Sequence, residues 1–394
     1  MDENCARNHC RLPAGRGSIV PGRLRVALDM RPTSELGTGI ARYARNLADA
    51  LAAGEGVELH LLHKYADDAK HVPGATVMCA TERNWLQGFV PRYCRENIVD
   101  VFHGTNFVAP LMAPVRRVVT VHDMTLFNPG SGHRLRTFLV HGMQSLLSLV
   151  VADAVVTDSR ATATALGARF PWLRSLIHHI PLGVGSQFRP SPLTSPLNMG
   201  NRSESTQPFI LNVGKQERRK NLPLLIKGFA RECRDPQWIH DLVLVGPDGG
   251  ASSDVRRAIK DAGVADRIRM LGVVSDAELV GLYRRASLVV YPSAVEGFGL
   301  PVLEAMACGV PVVTLADPSV LEVAGAAALI VPVATAEAIA HALRSGVQAG
   351  PERNERIRLG LIRAASHRWE TVASATLDVY NAVARDRLRF GTSR

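Results

Sequence analysis

The sequence predicts an α/β protein with two doubly wound parallel-sheet domains. Short apolar runs that end at polar residues or glycine alternate with helical patterns, which is typical of a parallel sheet covered by helices on both faces. The alternation starts again after a stretch at 191–208 that is rich in proline and serine. The length of 394 residues also suits two domains, since a domain commonly contains about 100–200 residues.

The first half contains the elements of one domain. A basic leader at 1–22, which we expect to be flexible, precedes a strand at 24–29. The next apolar residues recur at the spacing of a helix: Ile40, Tyr43, Ala44, Leu47 and Leu51. Further strands are predicted at 57–62, 99–103, 118–123 and 154–159. These elements define an N-terminal domain at 23–190.

The second half repeats this organisation. Strands are predicted at 209–214, 242–245, 268–271, 288–291 and 311–315. A helix is predicted at 222–229, and Ser275 with Glu278 forms a capping box that opens another. The predicted C-terminal domain is 209–365, followed by a helical segment at 366–394. Ligands bind beyond the carboxyl ends of strands in open α/β sheets, so two such domains facing across a cleft would place a ligand between them.

Charge is concentrated at the two ends of the chain. The net charge is +10, and residues 1–25 and 381–394 each contribute +3. Basic ends on a nearly neutral body favour peripheral contact with an anionic membrane over a nucleic-acid cleft. Aromatic residues make up 5%, without the basic, aromatic-rich face that stacks bases, so we expect no nucleic-acid partner.

Location and metal content are predicted from further patterns. The chain has no unbroken run of 18 apolar residues and no apolar segment near its start, which predicts a cytoplasmic protein. Six cysteines form no C-x-x-C pair and no zinc spacing. There is also no Asp-x-Asp pair. We therefore expect no metal and no cofactor.

The most informative segment runs from the end of a strand at residue 291 to residue 313. Gly297 and Gly299 precede Pro301, which we expect to be the first helical residue. Glycines before a helix N-terminus allow a ligand to approach the backbone, and the free N–H groups favour an anion such as phosphate. Glu304, expected in the first helical turn, can accept from two neighbouring hydroxyls. Glu296 lies eight residues earlier, so one compact site would hold both acids.

This segment resembles glycosyltransferase family 4, retaining enzymes of the GT-B architecture whose hallmark is Glu-x7-Glu within EGFGLPxLEAMAxGxPVV. The resemblance implies that Glu304 binds the ribose hydroxyls of a nucleotide sugar and that Glu296 binds hydroxyls of the donor sugar. It also implies that the backbone of Phe298, Gly299 and Leu300 approaches the sugar and diphosphate, and Gly297 is counted among the substrate-binding residues. It further implies that the C-terminal helix crosses back to the first domain.

A basic loop at 213–221 follows the strand at 209–214. Four cations in six positions would repel each other without a nearby anion, although a solvated loop is the usual interpretation of a charge run. Family members direct a basic residue after this glycine, and a lysine five positions later, at the donor diphosphate. Lys215 and Lys220 occupy these positions. Many relatives have arginine at the first position, and lysine cannot reproduce the bidentate geometry of arginine. Arg219 is therefore expected to share the binding of the diphosphate with Lys215.

The resemblance also assigns residues near the base and the acceptor. Gly37 and Gly39 match the family's N-terminal loop, which borders the phosphates and the acceptor. Val273, in a loop after a strand, matches the position where relatives hold the nucleobase.

Two strand-end histidines complete the candidate site. His122, followed by Asp123, matches the family's histidine near the reacting carbon. His103 ends the preceding strand at a similar place. A lone histidine at a strand end is commonly structural, and this alternative stays open for both.

The resemblance implies a glycosyltransferase that moves a hexose, with retention, to a hydroxyl of a growing polysaccharide or lipid-linked acceptor. The segments GTGIARYARNL, VHDMTLFNPG and GKQERRKNLP resemble bacterial mannosyltransferases of surface-polysaccharide synthesis, which favours GDP-mannose as the donor substrate. A UDP- or dTDP-sugar donor, an epimerase or phosphorylase of the same fold, and a non-catalytic protein that binds polyanions or membrane remain alternatives.

Overall fold

The computed structural model describes residues 23–65, 71–127, 135–190 and 207–390, with only the backbone of 135–140 and 386–390. The predicted leader at 1–22 and nearly all of the predicted linker at 191–208 lie outside the described residues. No helix in these ranges is both long and apolar enough to span a membrane.

The chain divides into two compact units. The first holds the described residues up to Glu35, those from Ile40 to Gly183 and those from Trp369 onward, and the second holds Leu36–Gly39 and Val184–Arg368. The division therefore falls before the predicted boundary at 190. The reason is that residues 184–190 pack on the second unit, where Arg284 donates to the Gln187 carbonyl at 3.0 Å and Phe188 lies 5.7 Å from the Tyr283 ring.

In the first unit, the described strands form a parallel sheet in the order β3-β2-β1-β4-β5-β6-β7. Its strands are β1 (Leu24–Asp29), β2 (Val57–His63), β3 (Ala75–Cys79), β4 (Val101–Gly104), β5 (Arg116–Val121), β6 (Ala154–Thr157) and β7 (Ile177–His179). The α-helices of this unit are α1 (Gly39–Ala53), α2 (Val90–Glu96), α3 (Leu135–Val150), α4 (Arg160–Arg169) and, from the end of the chain, α12 (Trp369–Phe390).

In the second unit, the described strands form a parallel sheet in the order β10-β9-β8-β11-β12-β13. Its strands are β8 (Phe209–Val213), β9 (Asp241–Val245), β10 (Ile268–Gly272), β11 (Leu288–Tyr291), β12 (Val312–Leu315) and β13 (Ala328–Val331). Its α-helices are α5 (Leu222–Glu232), α6 (Ser252–Ala262), α7 (Asp276–Arg285), α8 (Leu300–Ala307), α9 (Pro318–Ala324), α10 (Ala336–Val347) and α11 (Pro351–Ala365).

Apolar runs and caps explain these elements. Every residue of β8, β9 and β11 is buried, as expected for central strands covered on both faces. The capping box predicted at Ser275 and Glu278 is present at the start of α7. Ser159 caps α4 by accepting from the Thr162 N–H at 3.1 Å.

Each sheet has one point where the strand order reverses, between β1 and β4 in the first unit and between β8 and β11 in the second. Loops that leave the carboxyl ends of two such strands run in opposite directions and open a crevice for a ligand. The predicted basic loop follows β8, and the predicted glycine loop that carries Glu296 follows β11. The topology of the second unit therefore brings these two loops to the same crevice.

Candidate functional site

The basic loop after β8 passes very close to the backbone of its neighbour. Gly214 and Gly246 have φ values of +153° and +139°, which favour glycine. A Cβ atom on Gly246 would lie 2.1 Å from the carbonyl oxygen of Gly214. The Gly214 N–H donates to the Val245 carbonyl at 2.9 Å, so the loops after β8 and β9 are fixed to each other.

We expect Gly246→Ala to destabilise the second unit by about 2–4 kcal/mol, because the new methyl group collides with backbone that cannot move aside. Gly263→Ala is the matched control. Gly263 also has a positive φ of +67°, but no atom lies within 4 Å of its Cβ position, so only backbone strain of about 1 kcal/mol is expected. Urea unfolding of the two variants measures the difference, and equal stabilities would contradict the predicted collision.

The loops after β8 and β11 meet in a cluster of buried and partly buried charges, here called the ion cluster: Glu217, Arg219, Lys220 and Glu296. The Lys220 ammonium donates to Glu296 Oε1 at 2.5 Å, and Arg219 Nη1 donates to Glu296 Oε2 at 2.7 Å. Arg219 Nε donates to Glu217 Oε2 at 2.8 Å. Both oxygens of the Glu296 carboxylate are thus paired with cations.

The ion cluster shifts the titration of its members. Burial disfavours the charged form of Glu296, but Lys220 and Arg219 outweigh this and lower the pKa of Glu296 to about 2. Burial lowers the pKa of Lys220, and the attraction of Glu296 offsets this only in part. The Lys220 ammonium also donates to the Tyr291 hydroxyl at 2.7 Å. Glu296 is therefore a carboxylate throughout the neutral range.

Backbone contacts hold the two loops in register. The Ala294 N–H donates to the Arg219 carbonyl at 2.9 Å, and the Asn221 side chain donates to the Pro292 carbonyl at 3.0 Å. Asn221 adopts the left-handed conformation, φ +52°, which asparagine tolerates well. The Glu296 N–H donates to Asp317 Oδ2 at 3.2 Å. Lys215, by contrast, lies with its side-chain stem against Gly249.

Glu304 lies one residue deeper in its helix than expected. Helix α8 begins at Leu300, with Gly299 as its N-cap at φ +109°, so Pro301 is the second helical residue and Glu304 the fifth. The expectations that Pro301 opens the helix and that Glu304 lies in its first turn are wrong, because the glycine conformation lets the helix start one residue earlier. Glu304 is 1% exposed and accepts from the Tyr283 hydroxyl at 2.8 Å.

Other residues of the predicted site also lie in the second unit. Phe298 and Leu300 are buried at 5% and 6% exposure, and Gly297 lies between Glu296 and Phe298. Gly37, with φ +76°, lies beside Val273, since a Cβ on Gly37 would be 3.3 Å from Val273 Cγ1.

A Cβ on Gly39 would be 3.8 Å from Leu300 Cδ1. The structure thus brings Gly39 next to the first residue of α8, as it brings Gly37 next to Val273.

In the first unit, His122 is held at both ring nitrogens. Nε2 donates to the Thr105 carbonyl at 2.9 Å, and Nδ1 lies 2.6 Å from Asp158 Oδ2. Burial opposes a charge on His122, but Asp158 outweighs it and raises the pKa of the imidazole. Asp123 accepts from the N–H and the hydroxyl of Thr125, at 2.9 and 2.6 Å. His122 is therefore placed as a fixed, polarised ring.

His103 belongs to a buried chain of hydrogen bonds. Its Nδ1 lies 2.6 Å from the Tyr380 hydroxyl of α12, and its Nε2 lies 2.7 Å from Thr120 Oγ1, which in turn lies 2.9 Å from the Tyr43 hydroxyl. Burial lowers the pKa of His103 to about 3. These contacts favour the structural alternative for His103, as a residue that fastens α12 to the first sheet.

We expect Asp158→Asn to shift the titration of His122 to lower pH, because burial then acts on the ring without the carboxylate that opposes it. In the wild type, the raised pKa adds stability that is present below about pH 6.5 and lost as the pH rises through the folded-state value. NMR titration of the His122 ring measures the shift. His240, which lies in the second unit beside Arg267 and Asp241, serves as an internal control whose titration should change little. An unchanged His122 titration would contradict the assigned cause.

Sequence reasoning missed four residues that hold the candidate site in place. The Tyr291 hydroxyl accepts a hydrogen bond from Lys220, and the Tyr283 hydroxyl donates one to Glu304. Nothing in the sequence positions of these two tyrosines distinguishes them from core tyrosines. Asp158 and Asp317 each follow a strand of the parallel sheets. A polar residue at a strand's carboxyl end is the signal that could have identified them.

Comparisons with known proteins agree with this geometry. Residues 37–188 match the family described as Glycosyltransferase Family 4, and residues 199–360 match the one described as Glycosyl transferases group 1. The chain is 29% identical over 368 residues to O-antigen chain mannosyltransferase B of Escherichia coli, covering 87% of this chain and 96% of that protein.

Solved structures share the fold. Sucrose-phosphate synthase of Thermosynechococcus elongatus superposes with a TM-score of 0.74 at 22% identity, covering 92% of this chain and 100% of that one. HepE of Anabaena, solved in complex with UDP and glucose, superposes with a TM-score of 0.73 at 17% identity, covering 91% of this chain and 100% of that one.

The two parallel sheets, and the loops that meet at the reversal point of the second, define a glycosyltransferase of the GT-B architecture. Residues 37–188 form a domain of the Glycosyltransferase Family 4 type, and residues 199–360 form one of the Glycosyl transferases group 1 type.

Proposed function

We propose that the protein transfers mannose from GDP-mannose, with retention, to a hydroxyl of a growing polysaccharide or lipid-linked acceptor. The observation that carries the proposal is the meeting of the basic loop and Glu296 at the reversal point of the second sheet. The choice of mannose and of a polysaccharide acceptor is supported by the similarity to O-antigen chain mannosyltransferase B over 87% of the chain.

The diphosphate is the leaving group, and negative charge grows on it as the bond to the sugar breaks. Lys220 and Arg219 lie on the loop that would face this charge, and preorganised cations in a buried site stabilise such a transition state strongly. Glu296 would hold hydroxyls of the sugar, and Glu304 would hold the ribose diol. Tyr291 and Tyr283 keep Lys220 and Glu304 in place through their hydroxyl groups.

Retention is supported by the state of two candidate groups, Glu296 in the second unit and His122 in the first. Glu296 is paired with two cations and has a pKa of about 2, which makes it a weak nucleophile toward the anomeric carbon. Both nitrogens of His122 are engaged by Asp158 and Thr105, so neither directs a free lone pair at an acceptor hydroxyl. We therefore propose attack from the face that the diphosphate leaves. The acceptor oxygen bonds to the anomeric carbon as the carbon–phosphate-oxygen bond breaks, and the departing phosphate takes the acceptor proton.

A panel of nucleoside diphosphates tests the donor. Thermal unfolding is measured with GDP, UDP, ADP and dTDP, and GDP is expected to stabilise the protein most. Stabilisation by UDP alone would overturn the mannose proposal. NMR of the product formed from GDP-mannose then gives the anomeric configuration, and an inverted product would overturn retention. Contact of the basic ends with the anionic inner leaflet, and a cytoplasmic location, stay predictions.

A further inference from the structure

We propose that Glu296 makes the site discriminate between the intact nucleotide sugar and the nucleoside diphosphate that remains after transfer. The inference rests on the proposed function and concerns which of two ligands the same site prefers. It starts from the ion cluster, whose charges cancel before any ligand is bound.

The ion cluster is internally neutral. Lys220 and Arg219 supply two positive charges, and Glu296 and Glu217 supply two negative charges. The side chains of Lys220 and Glu296 are 9% and 7% exposed, so solvent screens their attraction only weakly. A diphosphate that reaches this loop meets cations that Glu296 already occupies.

A diphosphate can gain the full attraction of Lys220 and Arg219 only when the Glu296 carboxylate gives up part of its contact with them. A buried carboxylate that loses its partners is costly unless other donors replace them. The Tyr291 hydroxyl, which accepts from Lys220, has a single O–H to donate, and one neutral donor does not replace two cations. The ligand itself must therefore supply the donors.

The intact donor supplies both halves of this exchange. Its diphosphate pairs with Lys220 and Arg219, and its sugar hydroxyls donate to the oxygens that Glu296 has freed. The bare nucleoside diphosphate supplies only the first half, so Glu296 competes with it for the cations. Glu296 thus favours binding of the donor and release of the product.

Glu296→Gln tests this directly, because the amide keeps the shape of the side chain but has no charge to neutralise the cations. Isothermal titration with GDP and with GDP-mannose, without acceptor, gives both affinities. We expect GDP to bind about 10-fold more tightly and GDP-mannose more weakly than in the wild type, so that the ratio of the two affinities reverses. UDP and UDP-glucose are measured as a second pair.

Glu217→Gln is the matched control. Glu217 also pairs with Arg219, through Nε, but its side chain is more exposed at 26%, and the proposed function assigns it no contact with the sugar. Loss of the Glu217 charge should strengthen the binding of both ligands of a pair by the same factor, so the ratio of their affinities should stay unchanged. Melting temperatures show whether the variants fold. If Glu296→Gln does not fold, Glu296→Ala serves as the second variant.

The outcomes separate the two proposals. If neither nucleotide pair binds the wild type, the proposed function fails and the inference fails with it. If the wild type binds a nucleotide pair but Glu296→Gln weakens the binding of the diphosphate and of the nucleotide sugar equally, only the discrimination by Glu296 is overturned. A reversed ratio in Glu296→Gln, with an unchanged ratio in Glu217→Gln, supports it.

Discussion

Lys220→Met should lower kcat by about 100-fold or more, with a smaller change in the KM for the donor. Lys220 is 8% exposed and holds its ammonium between Tyr291 and Glu296, on the loop that would face the diphosphate. Its attraction to the leaving group is greatest when the bond breaks and the charge has grown. Removing an interaction that is strongest in the transition state reduces kcat more than binding, and such losses commonly amount to about 100–1,000-fold.

Lys227→Met is the control for this experiment. Lys227 is exposed on α5, the helix that directly follows the basic loop, and its loss should leave the kinetics unchanged. Steady-state kinetics with varied donor give kcat and KM, and melting temperatures show whether Lys220→Met is folded. A folded variant with nearly normal kcat would remove Lys220 from the site.

Glu304→Ala should lower kcat/KM for the donor by about 100-fold and remove the preference for a ribose. A carboxylate that accepts from both ribose hydroxyls makes two charge-assisted bonds, each contributing about 1.5–3 kcal/mol. Glu304 is already held by the Tyr283 hydroxyl at 2.8 Å, so its orientation is set before the ligand binds. Wild-type protein should therefore bind GDP more tightly than 2′,3′-dideoxy-GDP, and Glu304→Ala should bind the two alike.

The comparison of GDP with its dideoxy analogue separates binding from folding, since a merely destabilised protein keeps its preference for the ribose. Glu352→Ala, whose side chain is 90% exposed on α11, is the surface control. Tyr283→Phe should give an intermediate loss of preference, because the carboxylate remains but is less firmly oriented. An undiminished preference in Glu304→Ala would contradict the assigned contact with the ribose.

The central strands follow closely from the sequence. Strands β1 and β11 occupy their predicted bounds, 24–29 and 288–291, because a strand buried on both faces must be an almost unbroken apolar run. The prediction missed β3, β7 and β13, all of which lie at sheet edges. No residue of β7 is fully buried, so its composition carries no apolar run that periodicity can detect.

The sequence by itself determined the fold class and the two loops that carry charge and glycine. The reason is that burial requires apolar residues and unusual backbone conformations require glycine, so both can be recognised locally. Only the tertiary structure decided that Lys220 and Glu296, 76 positions apart, share one ion cluster, and that Tyr283 holds Glu304. These contacts depend on which strands become neighbours in the sheet. That order arises from packing of the whole chain, so no local pattern of residues can encode it.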